Sequence, residues 1–146
     1  MKLASLPKDN KEMCFPLVFD AQLGNLSVFD LIPASPMYAT FHMPSDLGTI
    51  VSLDLIVIPG QTEVAQIVDF YWNYGTVGEA YNLNTGSDTG NSYSVTLDQI
   101  FAIDLTALTG FASGLAAGDI VGLQADLQNA GDSLFGVGIK MVYTPA

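Results

Sequence analysis

The strongest constraint on the fold lies near the C-terminal end, where two long runs alternate strictly between apolar and polar or small residues. In the first, Val121, Leu123, Ala125 and Leu127 fall on one side, and Gly122, Gln124, Asp126 and Gln128 on the other. In the second, Phe135, Val137, Ile139, Met141 and Tyr143 share a side, opposite Gly136, Gly138, Lys140 and Thr144. Period-two alternation of this length means a β-strand buried on one face. The turn residues Asn129-Ala-Gly-Asp-Ser133 between the runs predict an antiparallel hairpin.

The same reading extends backwards. Met37, Ala39, Phe41 and Met43 alternate with Tyr38, Thr40 and His42, and a Pro44–Gly48 turn follows. Thr49–Ile58 is a long strand with Val51, Leu53, Leu55 and Val57 on one face, closed by Pro59-Gly60. Ala65–Tyr74 is aromatic: Gln66, Val68, Phe70, Trp72 and Tyr74 point inward, leaving Tyr71 and Asn73 as the outward pair. Gly75–Asn91 reads as a long polar loop, and loops of this length serve a contact or move. Two shorter strands follow, Ser92–Leu97 with Tyr93, Val95 and Leu97 inward, and Ile100–Thr106 with Phe101, Ile103 and Leu105 inward. Leu108–Gly118 holds three glycines and room for one helical turn. Towards the N-terminus, Met13–Asp20 is an edge-like strand broken by Pro16, and Leu26–Leu31 a short strand.

About eight strands without a long amphipathic helix predict an all-β antiparallel sandwich of jelly-roll type. An immunoglobulin-like sandwich is the alternative; its typical strand count is about seven, and the paired cysteines of antibody domains are missing. The expected organisation is an N-terminal arm and first edge strand over 1–35, followed by the sandwich domain over 36–146.

Composition bears on function by exclusion. The formal net charge is −11 and arginine is absent, which argues against nucleic acid, whose phosphates are met by Lys and Arg. Lys2, Lys8 and Lys11 sit in the leading segment, positioned to meet an acidic neighbour, while only Lys140 faces the acids of the body. Hydrophobic residues are 49% and charged residues 13% of the chain, a surface suited to packing against partners. No apolar run approaches the roughly 18 residues of a membrane span. The first residues lack the apolar stretch of a signal peptide, so the expectation is a protein made in a cytoplasm and not exported by the general route.

Chemistry-bearing residues are sparse. His42 is the only histidine and Cys14 the only cysteine, with no nucleophile motif beside either, so no catalytic residue is expected. One His and one Cys far apart do not build a transition-metal site, and neither metal nor cofactor is expected. Asn84–Asn91 resembles a calcium loop in composition but lacks its ordered Asp spacing and terminal Glu. Glycoside hydrolysis needs two carboxylates across a cleft; nothing in the spacing of Asp54, Asp69, Glu79 and Asp126 selects a pair. Aromatic side chains stack on the apolar faces of sugars, which makes Tyr71, Asn73 and Tyr81, with the Asn84–Asn91 loop, the candidates for a carbohydrate- or receptor-binding module.

Several segments together carry a resemblance: Val57-Ile-Pro-Gly60, Asp69-Phe-Tyr-Trp-Asn73, Gly78-Glu-Ala-Tyr-Asn82, Ile103-Asp-Leu-Thr-Ala-Leu-Thr-Gly110, Leu115-Ala-Ala-Gly-Asp-Ile-Val-Gly-Leu123 and Val137-Gly-Ile-Lys-Met-Val-Tyr143. Over residues 36–144 the chain resembles small jelly-roll structural proteins of tailed phages and related environmental viruses. The resemblance implies a non-enzymatic, capsid-associated decoration, spike or fibre protein of a virion assembled in the host cytoplasm. Its partners would be copies of itself, a trimer above all, and a major capsid or other virion protein. Contacts are then expected at Leu3, Leu6, Cys14, Phe15 and Leu26 in the arm and its exit, and at Glu79, Tyr81 and Asp88 in the long loop.

Overall fold

The computed structural model describes residues 9–18 and 20–146. Two antiparallel sheets enclose one core. The strands are β1 (Lys11–Pro16), β2 (Ala21–Leu23), β3 (Leu26–Leu31), β4 (Met37–His42), β5 (Leu47–Pro59), β6 (Glu63–Gly75), β7 (Asn84–Val95), β8 (Phe101–Asp104), β9 (Ile120–Leu127) and β10 (Leu134–Pro145). The first sheet runs β2-β3-β10-β5-β8, with β1 also on β10; the second runs β4-β9-β6-β7. The chain is therefore an all-β sandwich, as its alternation requires. The strands described number ten against about eight expected; β1 overlaps the edge-like strand predicted over Met13–Asp20, and the three-residue β2 is one that the alternation did not mark.

The expected C-terminal hairpin does not form. β9 lies in the second sheet and β10 in the first. The intervening turn is bonded to both layers instead. Asn129 accepts the Ile67 N–H through Oδ1 (2.6 Å) and donates through Nδ2 to the Ala65 carbonyl (3.0 Å). On the far side, the Ser133 N–H donates to Gln61 and the Gly60 N–H to the Ser133 carbonyl. Gln66, fully buried, donates to Asn129 Oδ1 at 2.8 Å and completes this polar brace.

The inward face of β10 also differs from expectation in its first half. A register shift between Gly136 and Gly138 against β5 marks a bulge that reverses the alternation. Leu134 is buried before it, and Ile139, Met141 and Tyr143 after it, while Phe135 and Val137 are only half-buried. Two further corrections concern exposure. Val51 and Leu97, expected inward, are exposed, Val51 near the start of β5 and Leu97 beyond the end of β7. The long polar loop is also much shorter than predicted: Asn84–Asn91 belongs to β7, paired with β6 over most of its length. Its Gly, Ser, Thr and Asn residues have poor strand propensity, but an edge strand needs only backbone pairing with one neighbour.

The core is built from the inward rows of both sheets. Leu53, Leu55, Val57, Ile139 and Met141 face Phe41, Val68, Phe70, Leu123 and Ala125. Phe15 on β1 closes one flank, its ring 5.6 Å from Phe41. Thus β1 belongs to the sandwich, and with β2 and β3 it places Lys11–Pro16, Ala21–Leu23 and Leu26–Leu31 of the predicted arm region in sheet. Lys11, expected to meet an acidic neighbour, pairs with Asp46 of its own chain. That bond, with another from Tyr143, holds the Asp46 carboxyl below its usual range. The helical turn expected in 108–118 is present as a 3-10 turn at Ala112–Gly114, and a second, at Leu105–Ala107, ends the strand expected to run to Thr106.

One outward position is uncomfortable. Asp30 stands beside Phe135, which in turn faces Ile58, and its Oδ1 is buried with no hydrogen-bond partner among the described residues. Burial, and secondarily the charge of Asp20, raises its carboxyl above the ordinary value. The folded state thus binds this proton more tightly than the unfolded chain does. The contribution favours folding in acid and turns against it as pH rises through the raised value. Asp30→Asn is expected to stabilise the neutral-pH protein by on the order of 1 kcal/mol. The gain should vanish below about pH 4, as read by paired thermal melts across pH.

Candidate functional site on the outer face of the second sheet

Strand register places the outward residues of the second sheet in rows. Tyr38 on β4, Gln124 on β9, Tyr71 on β6 and Ser87 on β7 form one row by successive cross-strand pairing. Thr40, Gly122, Asn73 and Thr85 form the next. Gly122 adds no side chain, so the second row is low at its centre. A Cβ there would lie 2.9 Å from Asn73 Oδ1, so any larger residue would displace the Asn73 amide. The result is a trough of about 510 Å³ between the tyrosines.

The residues 76–83 connecting β6 to β7 hang over this face. Asn73 Nδ2 donates to the Tyr81 carbonyl at 3.0 Å, and Glu79 Oε2 accepts the Thr76 N–H at 3.0 Å, which fixes the connection from within. Tyr81 stands 78% exposed at the wall of the trough; Tyr38 is 61% and Tyr71 37% exposed. Beyond Tyr81 the depression continues over Gly75, Val77 and Ile120 for about another 410 Å³, sharing Thr40, Asn73 and Gly122 with the first part. At the opposite end Asp69 and Asp126 face each other across β6 and β9. Gln124 Nε2 donates to Asp126 Oδ1 at 2.8 Å, which orients the amide; Asp69 Oδ1 accepts the Gly90 N–H at 2.7 Å.

The structure brings together the three residues expected for a sugar site, Tyr71, Asn73 and Tyr81. It adds Tyr38, Thr40 and Gln124, which the sequence reading did not single out. Their outward parity was legible; their adjacency was not, because it depends on β9 lying between β4 and β6.

The residues expected at subunit contacts are scattered. Leu3 and Leu6 lie outside the described residues. Cys14 is exposed on the outer side of the first sheet opposite Lys140, and Leu26 is exposed at the start of β3. Phe15 points into the core. Glu79 braces its own loop, and Asp88 Oδ2 accepts the Thr109 N–H at 2.8 Å, tying β7 to the crossover before β9.

Other acids are similarly occupied. Asp104 Oδ1 accepts the Thr106 N–H and Asp119 Oδ2 the Ala116 N–H. His42 is exposed and paired across strands with Ile120. Among the described residues no group of three or more His, Cys, Asp or Glu is placed to hold a metal ion, and no helix is long and apolar enough to cross a membrane.

No family model and no curated protein matches the chain. Among solved structures the chain is similar to dimeric latent PorU from Porphyromonas gingivalis, at a TM-score of 0.46 and 9% sequence identity, with 97% of this chain covered and the chain spanning 13% of that one.

Proposed function

We propose that this protein is a non-enzymatic structural component of a virion: a jelly-roll decoration or minor capsid protein that self-associates as a trimer and docks on a major capsid or other virion protein. The jelly-roll reading is supported by strand order. β3-β10-β5-β8 faces β4-β9-β6-β7, and every connection from β3 to β10 crosses between the sheets except β6–β7. Glu79, Asp88, Asp104 and Asp119 accept backbone N–H groups and so serve the architecture.

The observation that carries the assembly reading is apolar exposure at one end of the sandwich. Val64 is 82% exposed beside the β5–β6 turn, and Leu97 and Ile100 are exposed in the β7–β8 turn. The Glu63–Val95 pairing and the Leu97 N–H to Thr62 bond (3.0 Å) draw these two turns together. Aliphatic side chains so placed on a body of charge −11 gain by burial against another subunit.

The test is the mass in solution by light scattering, with co-sedimentation on purified capsid shells. The full chain is expected at three times its 15.5 kDa. The triple variant Val64→Ser, Leu97→Ser, Ile100→Ser is expected to be monomeric with an unchanged far-ultraviolet spectrum. Loss of residues 1–8, which leaves β1 whole, is expected to weaken shell binding. A wild-type monomer at all concentrations, with no affinity for shells, rejects the proposal.

A further inference from the structure

The outer face of the second sheet has no part in that assembly reading, and its chemistry points to a ligand of its own. We propose that the trough between Tyr38, Tyr71 and Tyr81 binds a neutral oligosaccharide chain. Three features define the ligand.

The first is shape. Tyr38 and Tyr71 sit in one row two strands apart, roughly 10 Å at ordinary strand spacing, which is the span of a disaccharide. The trough continues past Tyr81 towards Val77, so it suits an extended chain rather than a single compact molecule. The second is the exposed aromatic surface. Among the described residues three tyrosines stay exposed here, and such rings pack against the C–H faces of pyranose units while their hydroxyls bond to sugar hydroxyls.

The third is polarity. Gln124 has one amide N–H committed to Asp126, and Asn73 has one committed to the Tyr81 carbonyl, so each amide is held in place with its carbonyl oxygen and its second N–H left for a ligand. The carboxylates of Asp69 and Asp126 lie at one end, and among the described residues no lysine lines either part of the trough. The site therefore suits hydroxyl groups, which donate and accept in turn. It repels phosphate, sulfate and carboxylate, which excludes sialylated, sulfated and phosphorylated glycans. Thr40 and Thr85 supply hydroxyls that both donate and accept.

The full-length protein would be titrated calorimetrically with maltohexaose, cellohexaose and chitohexaose as neutral probes, and with a heparin oligosaccharide as the anionic one. At least one neutral probe is expected to bind, and the heparin fragment is not. Tyr71→Ala and Tyr81→Ala are each expected to weaken that binding about ten-fold or more. Tyr81 is largely exposed, so its variant tests the contact without threatening the fold. Gly122→Val, which displaces Asn73 and fills the floor, is expected to abolish binding while the thermal midpoint of the protein still reports a cooperative fold. Absence of binding by all three neutral probes, preference for heparin, or binding unchanged in Tyr81→Ala would each overturn the proposal. The Val64, Leu97, Ile100 variant should bind glycan like wild type, which separates this site from the assembly surface.

Discussion

Phe111→Ala is expected to cost about 3–5 kcal/mol of folding stability, a large share of the roughly 5–15 kcal/mol that holds an ordinary domain together. Phe111 lies in the crossover from β8 to β9, a stretch whose glycines and small residues suggest little structure. Yet it is fully buried. Its ring lies 4.9 Å from that of Trp72 at a tilt of 46°, an arrangement favoured by the ring quadrupoles. Leu105 and Leu108, also buried, flank it in the same crossover, so the segment acts as a plug for one end of the sandwich. Truncation would open a cavity against Trp72 that neighbouring strands, fixed by their ladders, cannot fill. Equilibrium urea unfolding should show a lower midpoint with the denaturant slope unchanged. Because Trp72 is the only tryptophan, its emission should also shift towards that of a wetter indole before global unfolding. A loss under about 1 kcal/mol would mean that the crossover is not a part of the core.

What the sequence made legible was the inward or outward sense of each strand, and what it concealed was who sits beside whom. Met37, Ala39 and Phe41 on β4, Val68, Phe70 and Trp72 on β6, and Val121, Leu123, Ala125 and Leu127 on β9 are buried as their alternation demands. Alternation records a face and says nothing about the partner strand. That is why β9 and β10 read as a hairpin although they occupy opposite sheets, and why the bulge at Gly136–Gly138 reversed the reading of Phe135 and Val137. The first part of β7, residues 84–91, was hidden for another reason. Its residues are chosen for an exposed edge, so they carry no apolar signal, and only pairing with β6 makes them a strand. The trough suffered from the same limit. Tyr71, Asn73 and Tyr81 are near in sequence and were found together, whereas Tyr38 and Gln124 reach the site only through the order β4-β9-β6.

Gly86→Ala tests the packing from the opposite side of the same indole. Gly86 is the cross-strand partner of Trp72, and a Cβ added to it would lie 2.6 Å from Trp72 Nε1 and Cε2. No real Cβ sits so close to another heavy atom, so either the ring or the strand must move. The ring is held by Phe111 and by the buried neighbours Phe70 and Leu123, which leaves β7 to lift from β6. Overpacking of this kind is expected to cost about 1–3 kcal/mol, read as a lower urea midpoint and as faster amide exchange along Asn84–Tyr93. The informative experiment is the pair. Loss of the Phe111 ring gives the indole space to retreat, so Gly86→Ala should cost less in the Phe111→Ala background than in wild type, with a coupling of about 1 kcal/mol or more. Strictly additive losses would mean that the added methyl is accommodated by the edge strand alone, and that Trp72 is not the rigid wedge that sets the spacing between β7 and the crossover.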